Sequence, residues 1–116
     1  MGNPVVYFEV GCRDRNASDA FYAGLFDWDL ERREHSSVVD TGGGGINGHI
    51  ASLGHEPHTY TMFYVEVDDL DDSLRRAEAL GGSTIVGPTA APDATFAWIA
   101  DPEGNVIGLI AASRER

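Results

Sequence analysis

Lysine is absent from this chain of 116 residues, and cysteine occurs once, at Cys12. A single cysteine cannot form an internal disulfide or supply a cysteine metal cluster, so we expect a protein of a reducing compartment. No run approaches the ~18–20 apolar residues of a membrane-spanning helix, and no apolar signal segment follows Met1. The sequence therefore predicts a cytoplasmic protein with no membrane partner.

Positive charge is scarce, because eight arginines stand against 19 acidic residues and leave a formal net charge of −11. Such a charge repels phosphate backbones and anionic lipid surfaces, so nucleic acid is not an expected partner. The length and the 42% hydrophobic content suit a chain with one hydrophobic core. We therefore predict a single domain over residues 1–116.

The chain contains two similar β-rich runs, residues 5–10 and 62–67, each followed by an acidic turn and a helical pattern. At one constant offset the runs share a tyrosine, a glutamate and a valine. The matched pairs are Tyr7 and Tyr64, Glu9 and Glu66, and Val10 and Val67. This repeat predicts two modules, one over about 1–54 and one over about 59–113.

Each module is predicted to contain one helix. The first helix should begin near Asn16 or Ser18, which are good N-cap residues, and should end at Asp27. The helical spacing of its apolar residues defines one face that carries Ala17, Phe21 and Leu25.

The second helix should begin near Asp68 or Asp69, whose carboxylates suit the positive end of a helix. It should end at Gly81 and Gly82, because glycine adopts the left-handed conformation that closes a helix. Its apolar stripe carries Leu70, Leu74 and Ala77.

Three strand candidates follow each helix, so each module is predicted as βαβββ. The candidates are residues 28–33, 35–39 and 46–52 in the first module, and 83–86, 95–100 and 106–111 in the second. Four consecutive glycines, 42–45, join two strands of the first module. They are interpreted as a flexible hairpin tip, because no Lys-Ser or Lys-Thr follows as in a phosphate-binding loop.

Four further features, taken in order and spacing, resemble the vicinal-oxygen-chelate superfamily of glyoxalases, bleomycin-resistance proteins and dioxygenases. The features are Phe21-Tyr22 with Leu25-Phe26-Asp27-Trp28, then Val67-Asp68-Asp69-Leu70, then Ala79-Leu80-Gly81-Gly82, and finally Asp101-Pro102-Glu103-Gly104-Asn105. The resemblance covers nearly the whole chain. It implies an α+β fold in which two βαβββ modules form a cupped mixed β-sheet with flanking helices.

The resemblance also implies metal-ligand positions on the first and last strands of each module. In this sequence they fall on Val5, Met62, Gly108 and the segment 47–49. A catalytic divalent site needs about three ligands from His, Asp, Glu or Cys, and His49 is the one credible ligand at these positions. We therefore predict no bound metal and no cofactor.

Strand alternation predicts a concave face that is rich in aromatic residues and poor in polar groups. The predicted ligand-binding residues on this face are Tyr7, Asn47, His49, Met62, Tyr64, Phe96 and Trp98, with Val5 beside them. The glycines Gly48 and Gly108 are expected to leave space for a ligand. Alternatively, individual rings fill the core, and the glycines mark bulges or a close backbone approach.

Three functions fit these features. The favoured one is a metal-independent small-molecule-binding protein of the glyoxalase/bleomycin-resistance type, which sequesters an organic ligand such as an aromatic compound or a natural product and so confers antibiotic resistance. The alternative is a cofactor-free isomerase, cyclase or lyase with His49, Tyr7 or Tyr64 as acid or base. A metal-dependent lyase or dioxygenase comes third. The resemblance further implies a homodimer, and turnover of a ligand would separate the second function from the first.

Overall fold

The computed structural model describes residues 2–92 and 94–112, which form eight strands and two helices. The first half runs β1 (Val5–Gly11), α1 (Arg15–Phe26), β2 (Asp29–Arg32), β3 (Ser36–Asp40) and β4 (Asn47–Ala51). The second half runs β5 (Tyr60–Glu66), α2 (Leu70–Ala79), β6 (Ser83–Ala90), β7 (Ala94–Ala100) and β8 (Val106–Ala112). The predicted βαβββ order is therefore confirmed in both halves.

The chain divides into two compact units. The first unit is Val6–Met62, and the second comprises the described parts of 1–5 and 63–116. In the first unit the strands follow the order β2-β3-β4-β1, and in the second they follow β5-β8-β7-β6. The β1–β4 and β5–β8 pairs are parallel, while the remaining pairs within each unit are antiparallel. This mixed pairing with two helices confirms the predicted α+β class.

Helix α1 begins earlier than predicted, because Asp14 caps it in place of Asn16 or Ser18. The Asp14 carboxylate accepts a hydrogen bond from the backbone N–H of Ala17 at 3.1 Å. The predicted end at Asp27 is confirmed, and this residue adopts the left-handed conformation with φ 60°. Aspartate tolerates this conformation better than most residues do.

The apolar face predicted for α1 does not face the core. Phe21 and Leu25 are 57% and 59% exposed, whereas Asp19 is buried. Asp19 can be buried because the Arg32 guanidinium donates to its Oδ2 at 2.9 Å and the Ser37 hydroxyl donates at 2.7 Å. The helix thus turns a paired carboxylate toward the sheet and apolar side chains toward solvent.

Tyr22 on α1 packs on the sheet through its ring, which stacks on the ring of Trp28 at a centroid distance of 5.5 Å. Both rings pack against the buried core of the first unit, Cys12, Val39 and Ile50. Phe8 and Val10 of β1 also pack there. The side of the sheet that faces α1 is therefore apolar except at Asp19 and its partners.

Helix α2 follows the predicted pattern. Asp69 caps it by accepting from the backbone N–H of Asp72 at 3.0 Å, and Gly81 with φ 102° lies just past its end. The predicted stripe faces the core, where the buried residues are Leu70, Leu74, Ala97 and Leu109. Neither α1 nor α2, among the described residues, has the length and apolar character needed to cross a membrane.

Candidate functional site

The candidate site lies on the face of the first unit that is turned away from α1. Because side chains alternate along a strand, Tyr7 and Glu9 project to the side opposite Phe8 and Val10. The parallel register of β1 and β4 places Glu9 beside His49. Local alternation and strand pairing therefore bring an acid and a base together from residues 40 positions apart in sequence.

Four side chains on this face form one continuous chain of hydrogen-bonding contacts, which we call the polar cluster. The Tyr7 hydroxyl lies 2.7 Å from Nδ1 of His49. The other ring nitrogen of His49, Nε2, lies 3.2 Å from Oε1 of Glu9. The second oxygen of Glu9, Oε2, accepts a hydrogen bond from the hydroxyl of Tyr60. The polar cluster thus runs from Tyr7 through His49 and Glu9 to Tyr60.

One protonation pattern satisfies the three contacts that define the polar cluster. If the neutral imidazole of His49 carries its proton on Nε2, it donates to the Glu9 carboxylate and leaves Nδ1 as an acceptor for the Tyr7 hydroxyl. The ionised Glu9 carboxylate then accepts from His49 and from Tyr60. The carboxylate therefore fixes the tautomer of His49, as the orienting acid does in a catalytic triad.

The polar cluster is substantially withdrawn from water. Glu9 is only 3% exposed, while the side chain of His49 keeps 24% of its surface accessible. Burial, and after it the negative charge of Glu9, raises the pKa of Tyr7 to about 12, although the charge of Arg33 acts in the opposite direction. Burial and the hydrogen bond to Glu9 also raise the pKa of Tyr60. Both phenols therefore hold their protons at neutral pH.

Gly11 makes room for the ring of Tyr60. A Cβ atom at Gly11 would overlap the ring carbons of Tyr60, so a larger residue would displace the ring. The ring in turn sets the direction from which its hydroxyl reaches Glu9. Gly11 at the end of β1 is therefore part of the arrangement that holds the buried carboxylate.

The corresponding face of the second unit carries an aromatic cluster, which consists of Tyr64, Phe96 and Trp98. The indole N–H of Trp98 donates to the hydroxyl of Tyr64 at 2.9 Å, and Phe96 meets the ring of Tyr64 edge-on at 6.3 Å. Ala97 is fully buried in the core beside α2, which puts Phe96 and Trp98 on the opposite face, as alternation predicts. Their role as ligand contacts stays a prediction.

The two glycines expected to leave space do not do so. At Gly108 a Cβ atom would overlap the ring of Tyr64, so that ring already fills the place of the missing side chain. Gly48 lies against the backbone and ring of Phe8, which belong to the side facing α1. The prediction of open space at both positions is therefore wrong, because close neighbouring rings occupy it.

Two other predicted ligand-binding residues lie outside the polar cluster. The Asn47 side chain accepts from the backbone N–H of Thr41 at 2.9 Å and so closes the loop that contains the four glycines. Met62 is buried at 7% exposure, and Val5, predicted beside the site, is 46% exposed. The structure thus brings Tyr7 and His49 into direct contact and gives Asn47 a local structural bond.

Sequence reasoning missed Glu9 and Tyr60. Glu9 was read only as one half of a repeated pair with Glu66, yet Glu66 is exposed and Glu9 is buried. A charged residue inside an apolar strand, two positions from Tyr7 and on the same face, was the available signal. Tyr60 lies before the predicted start of the second β-rich run, whereas the strand itself begins at Tyr60.

The residues present do not suit the metal site that the superfamily resemblance implies. Val5, Met62 and Gly108 offer no donor atom in their side chains, and the described residues contain no group of three or more His, Cys, Asp or Glu side chains placed to hold a metal ion. No chemical step is therefore derived through a metal. The predicted absence of metal and cofactor stays a prediction.

Comparison with known proteins gives one family and many structural neighbours. A family model described as a glyoxalase-like domain matches residues 6–110. A hypothetical protein from Bacillus halodurans is similar with a TM-score of 0.74 and 12% identity, covering 100% of this chain and 99% of that one. Methylmalonyl-CoA epimerase from Mycobacterium tuberculosis is similar with a TM-score of 0.71 and 14% identity, covering 94% of this chain and 87% of that one.

A glyoxalase/bleomycin resistance protein/dioxygenase superfamily member from Vibrio splendidus is also similar, with a TM-score of 0.65 and 16% identity, covering 97% of this chain and 100% of that one. A comparison with curated proteins finds no match. Likeness at these identities is evidence of fold. It confirms the vicinal-oxygen-chelate fold that the sequence motifs predict.

Proposed function

The chain belongs to the glyoxalase-like domain family, and from that premise we propose that it binds a small organic molecule at the polar cluster without a metal ion. The observation that carries the proposal is the buried carboxylate of Glu9, held between His49 and Tyr60. The ligand would contact Tyr7 and His49, which lie at the end of the polar cluster opposite Tyr60.

A contribution to folding stability does not explain why Glu9 is buried beside His49 and Tyr60. A buried carboxylate with its hydrogen-bonding partners often contributes no more to folding than apolar side chains of similar volume, because desolvation offsets the attraction. Interacting side chains whose pKa values are shifted are instead common at functional sites. The burial of Glu9 against His49, on a face turned away from the helix-side core, therefore supports a binding role.

The polar cluster specifies what kind of ligand it suits. Tyr7 and His49 can exchange hydrogen bonds with a hydroxyl or carbonyl group, and small-molecule sites usually combine a few such polar groups with apolar surface. A small organic molecule that carries a hydroxyl or carbonyl group fits this chemistry.

Net charge argues against one substrate class of the structural neighbours. Methylmalonyl-CoA epimerase, which has the same fold, binds methylmalonyl-CoA. A CoA derivative carries several phosphate charges, and the net charge of −11 on this chain would repel it. We therefore propose a neutral or cationic ligand.

Sequestration without turnover, and hence resistance to a toxic compound in the cytoplasm, is the biological role that such binding would serve. A homodimer is part of this proposal. The exposed apolar side chains of α1, Phe21 and Leu25, support it, because two copies that cover such a face remove it from water.

The proposal is tested with purified protein and a panel of neutral aromatic ketones and phenols beside CoA thioesters. Neutral members should raise the thermal unfolding temperature, and His49→Gln should abolish the rise. His35→Gln is the matched control, because the His35 side chain is exposed and pairs with Glu34 away from the polar cluster. Elemental analysis that found about one metal ion per chain, lost in His49→Gln, would contradict the metal-independent site.

A further inference from the structure

We infer that ordered water is bound between Arg15 and Asp19, on the side of α1 that faces the sheet, and that this water fastens the helix to β2 and β3. We call the arrangement the water clamp. It consists of Arg15 and Asp19 with their partners Arg32, Arg33 and Ser37. The water clamp lies within the first unit and is independent of the ligand proposed at the polar cluster.

Three buried polar atoms of α1 have no hydrogen-bond partner among the described residues. They are Nε and Nη1 of Arg15 and Oδ1 of Asp19. Asp19 is only 9% exposed, so bulk solvent does not satisfy its second carboxylate oxygen. Buried polar groups in proteins are nearly always paired, either with protein or with ordered water. The three atoms therefore indicate a bound partner between the two side chains.

Arg15 and Asp19 are each anchored by other partners in the first unit. Nη2 of Arg15 donates to the backbone carbonyl of Arg33 at 3.0 Å. Oδ2 of Asp19 accepts from the Arg32 guanidinium at 2.9 Å and from the Ser37 hydroxyl at 2.7 Å. Side chains four residues apart on a helix lie on the same face and often pair directly. Here the remaining atoms of Arg15 and Asp19 do not bond to each other, because both side chains are held by these anchors.

The chemistry of the unpaired atoms specifies an occupant that both accepts and donates hydrogen bonds. A guanidinium only donates, and an ionised carboxylate only accepts. An anion would suit Arg15 but would be repelled by Asp19, and a cation would be repelled by Arg15. Water satisfies both groups without adding charge. Because the three atoms are closed to solvent, the occupant must also be small, as buried water is.

The water clamp gives a physical reason for the orientation of α1. It directs Asp19 toward the sheet and leaves Phe21 and Leu25 on the solvent side. Burial of apolar surface would favour the opposite rotation, which the helical spacing of the sequence predicts. Hydrogen bonds are directional and apolar burial is not, so a polar contact completed by water can fix the rotation of the helix about its axis.

NMR of wild-type protein labelled with ¹⁵N-arginine detects the water directly. Cross-peaks between the Arg15 Nε–H and water should have opposite signs in NOESY and ROESY spectra, which is the mark of a long-lived bound water. Arg75 is the internal control, because its side chain is 71% exposed beside Asp72 on α2. Its Nε–H should give peaks of the same sign in both spectra, which report exchange with bulk solvent.

Oxygen-17 relaxation dispersion counts long-lived internal water and compares variants. Arg15→Leu should lower the dispersion amplitude by about one water molecule, because a buried water needs more than the single acceptor that Asp19 leaves. The same variant should speed hydrogen exchange of the α1 amides by about tenfold, since its contact with the sheet is weakened. Arg13→Leu is the matched control, because Arg13 is 69% exposed and lies 3.9 Å from Glu56. It should keep the wild-type amplitude and exchange rates.

Several results would overturn the water clamp. Peaks of the same sign at Arg15 as at Arg75 would do so, and so would an unchanged dispersion amplitude in Arg15→Leu. Opposite-sign peaks that vanish in Ser37→Ala would come from the Ser37 hydroxyl proton and would also exclude the water. A crystal structure in which Arg15 bonds directly to Oδ1 of Asp19, or holds an anion there, would contradict it as well. The wild-type spectra decide the question even if Arg15→Leu does not fold.

Discussion

The two units have the same order of strands and helix along the chain. They differ in the residues at one pair of facing positions, where the first strand of each unit pairs with the last. In the first unit β1 sets Glu9 opposite His49, and in the second β5 sets Glu66 opposite Ile110. Glu9 is buried and bonded, while Glu66 is exposed. The same backbone register therefore holds a carboxylate inside the protein where the facing residue is histidine, and leaves it in solvent where the facing residue is isoleucine.

The matched tyrosines of β1 and β5, Tyr7 and Tyr64, differ in the same sense. Tyr7 contacts His49 at one end of the polar cluster, whereas the Tyr64 hydroxyl accepts a hydrogen bond from the indole N–H of Trp98. The described contacts among titratable side chains on this face thus lie in the first unit, and the aromatic cluster lies in the second.

The largest effect is expected when the imidazole is removed from beside the buried carboxylate. His49→Leu removes the hydrogen bond that the imidazole donates to the buried Glu9 carboxylate, and loss of a hydrogen bond to a buried charged group should cost about 3 kcal/mol. Ile110→Leu, the matched change in the second unit, should cost less than about 1.5 kcal/mol. Urea denaturation measures both values.

The double variant Glu9→Leu/His49→Leu sharpens the same contrast. Replacing both polar groups by apolar ones removes the buried charge itself, so it should recover most of the stability lost in His49→Leu. If His49→Leu is as stable as the wild type, Glu9 does not depend on His49 and the comparison between the units fails.

The next effect concerns the glycines that accommodate a tyrosine ring in each unit. Gly11→Ala should push the Tyr60 ring away from Glu9, and Gly108→Ala should push the Tyr64 ring away from Trp98, each at a cost of about 1–3 kcal/mol. Gly2→Ala, where a Cβ meets open space, is the control. Equal stability of all three variants would show that the rings are not confined as described.

Stability at high pH should depend on the tyrosines of the first unit. The pKa values of Tyr7 and Tyr60 are raised in the folded state, so their contribution is fully present below the unfolded value of about 10 and is lost as the pH rises through the folded value, about 12 for Tyr7. Urea denaturation from pH 9 to 12 should therefore show falling stability. The fall should be shallower in Tyr7→Phe and in Tyr60→Phe, and an identical slope in all three proteins would contradict the raised values.

The smallest effect is expected in the aromatic cluster. Trp98→Phe keeps a ring but removes the hydrogen bond to Tyr64, which should cost about 1 kcal/mol. Thermal unfolding followed by circular dichroism measures this loss. A collapse of several kcal/mol would show that Trp98 is a core residue, in conflict with its place opposite Ala97.

Local periodicity explains which features could be predicted from the sequence. The order of helices and strands along the chain, helix α2 and the alternation of Phe96 with Ala97 follow from patterns within about ten residues, and the repeat supports them. The face of α1 could not be predicted in this way, because Asp19 is buried only through Arg32 and Ser37, which belong to other strands.

The polar cluster could be predicted only in part for the same reason. Tyr7 and His49 were identified as site residues, but their contact depends on the parallel register of β1 with β4. Tyr60 reaches Glu9 from 51 residues away, over a glycine that permits the approach. Such contacts are set by strand pairing and close packing, which hydrophobic patterns do not encode.

The most direct test of the account is nitrogen NMR of the histidine side chains in protein labelled with ¹⁵N-histidine. Glu9 should hold neutral His49 as the Nε2–H tautomer, and a neutral aromatic ketone that raises the thermal unfolding temperature should shift the His49 resonances while those of His35 stay in place. A freely exchanging mixture of tautomers at His49, or a ligand-induced shift at His35 with none at His49, would contradict the claim that the buried glutamate of the first unit organises a ligand site.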